Sequence, residues 1–360
     1  MSEFLRIGII SLGGAGRAHL RRFLKNPKAK VVAVFDPKPE VVGDLSGSGE
    51  DIVVATTKLE EFYSCEDIQA VSICSPDHTH ASYALRALKR GWHVLCEKPL
   101  TSTSPDCEHL VREVRKTGLK FMVHHQLRYV PVFWKSKKIV QSGQLGDIFS
   151  VEADYFHYMK KRAMMFDDWR IDRDNYQNIV LGGGCHPIDL MQWILEDRIV
   201  ETFAYANHIG WKEYPDVDTV VALFRFQKKG AIGKMTMTIS ARRPIYHPLV
   251  VTGTEATIVN GLLLKEDGFK EMLHFPASNL RRSRRLLGRI VGRCYDIVQY
   301  PFDHNEHDLA SEVLIEQFVN SVLSNSPVPI TVDDSADAVR VCLAVIESYR
   351  QNKPVRVERP

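Results

Sequence analysis

The chain has no Cys-x-x-Cys pair: seven cysteines, at positions 65, 74, 96, 107, 185, 294 and 342, are scattered through 360 residues. An odd number cannot be fully paired within one chain, so the pattern reads as reduced thiols and excludes a disulfide framework. Also missing is a run of about 18 uninterrupted apolar residues, the length that a membrane-spanning helix needs. The opening residues 1–14 hold only a short apolar run followed by glycines, not a small-residue cleavage site, and read as neither a secretion signal nor a span. Strong charge of either sign is lacking too: 47 basic against 44 acidic residues leave +3, which gives no case for a nucleic-acid partner. Neither an internal repeat nor a low-complexity tract is found. What remains is an ordinary globular composition, 44% hydrophobic and 25% charged, long enough for two domains with real cores and expected in the cytoplasm.

Leu5–Ile10 is an apolar strand that runs into Ser11-Leu12-Gly13-Gly14-Ala15-Gly16, after which a helical pattern continues to about Lys25. Glycines there let the backbone approach a pyrophosphate, and the helix start offers it free amide hydrogens; a strand-to-helix turn without a ligand is the plainer alternative. Ser11 stands where the G-x-G-x-x-G pattern has its first glycine. A second strand, Val31–Phe35, ends in Asp36, twenty residues after Gly16. A carboxylate at that place accepts hydrogen bonds from ribose hydroxyls and repels a 2′-phosphate, so NAD is expected over NADP. Strands at Val53–Ala55 and Ala70–Cys74 lead to Ser75-Pro76-Asp77-His78-Thr79-His80, where proline stops the strand and Asp77 or Thr79 can cap a helix to Lys89. The H-x-H pair lacks a third ligand at metal spacing, so no metal is expected, and Ser75, Pro76 and His80 are assigned helix-start and cofactor-pocket roles.

The fifth strand, His93–Cys96, is followed by Glu97, Lys98 and Pro99. Ligands in an open parallel sheet collect beyond the carboxyl ends of the strands, so a charged pair there faces a bound molecule. An amine surrounded by protein loses preference for its charged form and becomes a usable proton carrier, while a surface ion pair before a turn is the bland alternative. A helix from Pro105 to Lys116 and a strand Lys120–His124 complete an alternation of strands and helices that indicates a doubly wound parallel sheet.

The second half reads differently. A helix over Val132–Gln141 precedes a strand over Asp147–His157 that carries Tyr155, and then Trp169-Arg170. An indole beside a guanidinium suits a sugar, because the ring packs on carbon–hydrogen faces and the fork donates to hydroxyls; a core tryptophan beside a solvated arginine is equally consistent. The helix His186–Leu195 sets His186 and Asp189 on neighbouring turns, so that Asp189 can orient the imidazole or tie the helix to the neighbouring strand. Strands at Val200–Ala206, Thr219–Phe226, Ala231–Ser240, Leu249–Thr252 and Thr257–Asn260 are joined by short turns, which favours antiparallel pairing, and one open face of such a sheet needs cover. The arginine-rich segment Arg281–Arg293 reads first as a solvated or subunit-facing helix, ahead of phosphate or membrane contact. His304-Asn305-Glu306-His307 is placed before a helix Leu309–Leu323, and Thr331 caps the last helix.

Ser11–His19, the strand-end Asp36, Ser75–His80 and Gly91–Pro99 together resemble the Gfo/Idh/MocA oxidoreductases, which include inositol dehydrogenases and glucose–fructose oxidoreductase. The likeness continues through Gln126–Pro131, Ser142–Gly146, Trp169-Arg170, Gly183–Asp189 and Pro354-Val355, and so covers nearly the whole chain. It implies an α/β protein with an N-terminal Rossmann domain, a doubly wound parallel sheet over 1–125. It also implies a C-terminal α/β domain over 126–360 with a large, mainly antiparallel open sheet, whose last helix can pack back on the first domain. By the same resemblance Lys98 touches the nicotinamide ribose and the substrate hydroxyl, Pro99 follows a cis peptide, and His186 is the catalytic histidine. Gly13, Gly14, Ala15, Gly16, Asp36, Ser75, Pro76, His80, Glu97, Lys98 and Arg128 are then the cofactor residues; Lys98, Tyr155, Trp169, Arg170, His186 and Asp189 face the substrate. One position departs: many dehydrogenases of the family carry an aspartate four residues before that histidine, and here it is Gly182.

The expectation is an NAD-dependent oxidoreductase acting on a secondary hydroxyl of a sugar, cyclitol or sugar nucleotide, a homo-oligomer through its C-terminal sheet, with no nucleic-acid or membrane partner. A glycosidase that uses bound NAD for transient oxidation and elimination, and a sugar- or nucleotide-sensing protein without turnover, are the alternatives.

Overall fold

The structure, a computed structural model, describes residues 3–43, 52–160, 169–228, 230–266, 270–272 and 304–360. The chain divides into two compact units: Met1–His125 with Ser311–Val339, and Gln126–Ala310 with Arg340–Pro360.

The first unit is built on six parallel strands, β1 (Leu5–Ile10), β2 (Ala29–Phe35), β3 (Val54–Thr56), β4 (Ala70–Ile73), β5 (His93–Cys96) and β6 (Phe121–Val123), in the order β3-β2-β1-β4-β5-β6. Ile7, Ile9, Val34, Val71 and Leu95 are buried without residue, as strands covered on both faces must be. Between the strands run α1 (Gly14–Lys25), α2 (Pro39–Gly43), α3 (Leu59–Tyr63), α4 (His80–Lys89) and α5 (Ser104–Thr117). Local chemistry sets their ends: the Thr103 hydroxyl accepts from the Asp106 amide at the start of α5, and Gly118 closes the same helix at φ 66°. The strand order reverses between β1 and β4, which places the switch point of the sheet beside the glycine loop.

The second unit opens with α6 (Pro131–Gln141) and carries a ten-stranded mixed sheet. Its strands are β7 (Ile148–Ala153), β8 (Tyr155–Phe156), β9 (Ile199–Asn207), β10 (Thr219–Phe226), β11 (Ile232–Thr238), β12 (Leu249–Gly253), β13 (Ala256–Val259), β14 (Leu262–Lys265), β15 (Lys270–Met272) and β16 (Val355–Arg356). The order is β15-β14-β13-β12-β7-β11-β10-β9-β16, with β8 paired to β11. Hairpins make most pairs antiparallel, but β11 runs parallel to β7 and β8, since the chain between them first passes through α7 (Cys185–Leu195) and two further strands. Two helices near the C-terminus, α8 (His304–Leu323) and α9 (Val332–Gln351), pass across the boundary between the units as residue ranges.

Three details differ from the sequence reading. The strand expected over Asp147–His157 breaks at Asp154, whose carboxylate accepts from the Thr236 amide at 2.5 Å and from Lys234 Nζ at 3.1 Å. Strands β14 and β15 were not anticipated; they follow Asn260-Gly261, both at positive φ, the pairing that a tight hairpin turn demands. His304–His307 lies inside α8, not before it. The Arg281–Arg293 segment lies outside the described residues.

Along β10, Val220, Ala222, Phe224 and Phe226 are buried while Val221 and Leu223 are exposed, the period of two that a sheet with one covered face requires. Phe149, Tyr205 and Ile232 are exposed with them, and Tyr205 sits directly opposite Val221.

Candidate active site

At the carboxyl end of β1, Ser11 takes φ 72°, the left-handed conformation for which the fingerprint elsewhere uses glycine. Gly13, Gly14 and Ala15 are exposed, and α1 begins at Gly14 with no side chain capping its first amides. Those amides are therefore available to an anion. Gly16 is required by contact: a Cβ there would lie 1.9 Å from the Ser11 carbonyl oxygen. Asp36, buried at the end of β2, accepts from the Leu12 amide at 2.7 Å and the Lys38 amide at 3.0 Å, so its carboxylate braces the loop from below. Open amides over a helix start, a glycine that only hydrogen fits, and a fixed carboxylate twenty residues on suit the diphosphate and ribose of a dinucleotide.

At the end of β4, Ser75 accepts a hydrogen bond from the Thr79 hydroxyl at 2.6 Å. Pro76 leads into the short turn Asp77–Thr79 ahead of α4. His80 is fully buried, its ring nitrogens 2.8 Å from the Pro99 carbonyl and 3.0 Å from the Ser75 carbonyl. Its side chain thus ties the end of β4 to the turn after β5. In that turn the Lys98–Pro99 peptide bond is cis and Lys98 is half-buried.

Glu97 is engaged on both oxygens. Its Oε2 accepts from the Lys98 amide at 3.2 Å; its Oε1 accepts from His19 Nε2 at 3.1 Å and lies 3.0 Å from His124 Nδ1. His19 continues the chain to Ser72 Oγ at 2.8 Å, and Ser72 to Cys74 Sγ at 3.6 Å. Burial opposes ionisation of Glu97, but the charges of the nearby His124 and His19 and the hydrogen bond from His19 hold it well below the usual carboxylate range. Burial also opposes the charged form of His19, which Cys74 and Glu97 nevertheless raise above an ordinary histidine, whereas burial keeps His124 low. The three donor atoms lie within 4.8 Å of one another, a grouping a cation could use, yet the His19–Glu97 hydrogen bond puts a proton on that axis.

In the second unit, Arg128 and Asp189 form a two-pronged pair, Nε to Oδ2 at 2.9 Å and Nη2 to Oδ1 at 2.5 Å, both residues buried. Asp189 thereby ties α7 to the turn around Arg128. His186 is buried at the start of α7 and stacks on Tyr155, centroids 6.0 Å apart and planes at 3°. His247 stands edge-on to both, 4.8 Å from Tyr155 and 6.1 Å from His186, and the Tyr155 hydroxyl lies 3.2 Å from His157 Nδ1. The glycines before α7 exist for close packing: a Cβ at Gly183 would lie 2.4 Å from Met237 Cε. A Cβ at Gly182 would lie 2.4 Å from the Gln177 side chain, and Gln177 Oε1 accepts from Arg170 Nε at 3.1 Å. Arg170 also lies over the Trp169 ring at 4.7 Å.

Of the residues singled out from sequence, those from Ser11 to Lys98 gather at the carboxyl ends of one sheet. Arg128 with Asp189, His186 with Tyr155, and Trp169 with Arg170 form three groups in the other unit. His124, His157, His247 and Gln177 were not singled out. His157 and Tyr155 stand two apart in one extended segment, a spacing that shares a face; the other three carry no local signal.

Residues 5–125 match the model of an oxidoreductase family described by its NAD-binding Rossmann fold, and residues 133–259 match the GFO/IDH/MocA C-terminal domain. A protein named myo-inositol 2-dehydrogenase from Thermotoga maritima is 24% identical over 369 residues, 98% of this chain and 99% of its own. Among solved structures, myo-inositol 2-dehydrogenase from Lactobacillus plantarum has a TM-score of 0.81 at 20% identity, covering 99% of this chain and 100% of that one. Scyllo-inositol dehydrogenase from Lactobacillus casei, with bound NAD(H) and scyllo-inositol, has a TM-score of 0.79 at 21% identity, covering 98% and 99%. The structural likenesses speak for the fold, and the two domain models, matched in tandem along one chain, for descent: this protein belongs to the GFO/IDH/MocA oxidoreductases, with an NAD-binding Rossmann fold at its N-terminal end.

Proposed function

We propose that the protein is an NAD-dependent dehydrogenase that oxidises a secondary hydroxyl of a polyhydroxylated ring, a cyclitol or sugar. The observation that carries this reading is the convergence, at the carboxyl ends of β1, β2, β4 and β5, of open helix-start amides, the fixed carboxylate of Asp36 and the Glu97-Lys98 pair. The relatives named for myo- and scyllo-inositol supply the substrate class. Gly13 to Gly16 would hold the diphosphate and Asp36 the adenosine ribose, with Ser75, Pro76 and Glu97 lining the cofactor side. Bound NAD supplies a hydride acceptor. Lys98 takes the hydroxyl proton, for which a half-buried amine beside a fixed carboxylate is suited. In the other unit His186, stacked on Tyr155, is the hydrogen-bonding group for the substrate, and Trp169 with Arg170 offers a ring face and donors to its hydroxyls. Position 182 has no side chain, and the Gln177 amide occupies the space beside it, which supports a lysine–histidine arrangement without an aspartate there.

Purified protein is expected to take up NAD and to form NADH when a panel of cyclitols, hexoses and UDP-sugars is added. Lys98→Ala should keep NAD affinity within about twofold and lose turnover by roughly a hundredfold or more, the scale of a removed acid–base group. Near-normal turnover would sink the assignment of Lys98; glycoside cleavage without NADH would favour the elimination chemistry.

We further infer that a second copy covers the exposed face bearing Phe149, Tyr205, Val221, Leu223 and Ile232. Arg225 pairs with Glu201 on that face and Lys234 with Glu152, so both charge signs flank the apolar centre, as a self-complementary contact needs. Leu223→Glu is expected to lower the oligomeric state in light scattering; an unchanged mass would remove this inference. Among the described residues no helix is long and apolar enough to cross a membrane. The six described cysteines are buried thiols, which suits a reducing compartment such as the cytoplasm.

A further inference from the structure

The buried histidines, serine and thiol that the proposed chemistry leaves unused gather around Glu97. His19 comes from α1, Ser72 and Cys74 from β4 and the residue after it, Glu97 from the end of β5, and His124 from the end of β6. Four separate elements thus spend polar side chains on one small volume where apolar residues would pack at lower cost. The cluster ends at the catalytic turn: Glu97 Oε2 accepts from the Lys98 backbone amide, the peptide next to the cis bond. His19 and His124 are 1% and 2% exposed, so neither ring can reach a ligand in solution; what they can do is fix the carboxylate between them.

We propose that His19 and His124 are positioning residues that clamp Glu97 and thereby hold the Lys98-Pro99 turn in its working geometry. The inference rests on the reading of Lys98 as the proton-taking group. His124 contributes a contact of ion-pair length, Nδ1 to Glu97 Oε1 at 3.0 Å, in which neither ring nitrogen is aligned for a hydrogen bond. Facing the cluster from the surrounding elements are Arg22 on α1, Cys74 after β4, and Cys96 on β5. A small shift of this carboxylate moves the amine it precedes, and misplacing a reacting group by about 1 Å costs on the order of a hundredfold in rate.

The test uses the full chain with NAD and whichever panel member it oxidises fastest. His124→Phe is expected to lower kcat by roughly ten- to a hundredfold with KM and NAD affinity within about twofold, and to shift the acid limb of the kcat profile. His124→Asn, which keeps a polar group near the same place, should recover most of the loss. A purely structural role would lower the melting temperature without moving the profile or being rescued. Unchanged kcat and profile in His124→Phe, with Lys98→Met inactive, would overturn this inference and leave the Lys98 reading intact. Normal turnover in Lys98→Met would end both. Independently of turnover, imidazole nitrogen NMR should show one charged ring of the pair, lost in Glu97→Gln; two neutral rings, or a stoichiometric metal in the purified protein, would overturn the clamp.

Discussion

Two buried charged groups in this protein are built on opposite principles. Arg128 and Asp189 face each other through two parallel hydrogen bonds, and an arginine stays charged at any pH a protein survives. The group around Glu97 uses histidines instead, whose charge depends on pH. Both meet the cost of burial by pairing. Only the first is permanent, and it joins the turn around Arg128 to α7 across 61 residues of sequence. The second borders Lys98, the residue proposed to take the hydroxyl proton. The contrast teaches that a buried ion pair can be a fastening or an adjustable support, and that the residue chosen as the cation tells which.

The sharpest way to break the comparison is to orphan one charge. Asp189→Ala should cost about 3–5 kcal/mol of stability, because it strands a buried guanidinium. The double change Arg128→Met with Asp189→Leu should recover much of that loss, and urea unfolding of both variants decides it. No recovery would mean that the pair acts through packing and not through charge.

A smaller effect distinguishes the two groups by pH. Glu97 has a lowered folded-state value, so its contribution is present above roughly pH 4.3, the unfolded value, and fades below it. His19 is raised, so its contribution is complete below roughly pH 6.5 and is lost as pH rises toward its folded value. His124, lowered, works against the folded state on the acid side of roughly pH 6.5 and trims that edge. Urea midpoints of the wild type are therefore expected to decline from mildly acidic toward alkaline pH, and Glu97→Gln should flatten the curve. An identical slope in the variant would show that the histidines do not titrate against Glu97. The least effect is expected at an exposed pair: Lys58→Ala removes the 2.8 Å contact to Glu61 at the surface and should leave the midpoint unchanged.

How much could be read in advance follows the range of the interactions. Strands β1 and β5 were legible because apolar runs end in turn chemistry within the same few residues. The glycine loop and Asp36 were legible because their chemistry is local to one strand–helix–strand stretch. The break at Asp154 was not, since its cause is Lys234 and Thr236 some eighty residues on. The hairpin from β13 to β14 could have been found from Asn260-Gly261 alone. His19 lay within a recognised motif but acquires a role only when β5 and β6 pair and bring His124 beside Glu97. The pairing of Arg128 with Asp189 likewise needs the fold, because either residue alone suits a ligand as well as it suits the other.

The two amides that Asp36 accepts have a bearing on redesign. Converting such a site to the phosphorylated dinucleotide usually means deleting the acidic side chain at the end of the second strand. Here the same side chain is a strut for Leu12 and Lys38, so an alanine would loosen the very loop proposed to cradle the diphosphate. Any exchange of redox currency in this scaffold should begin with Asn or Ser at position 36, which drop the repulsion but keep an acceptor beneath the turn.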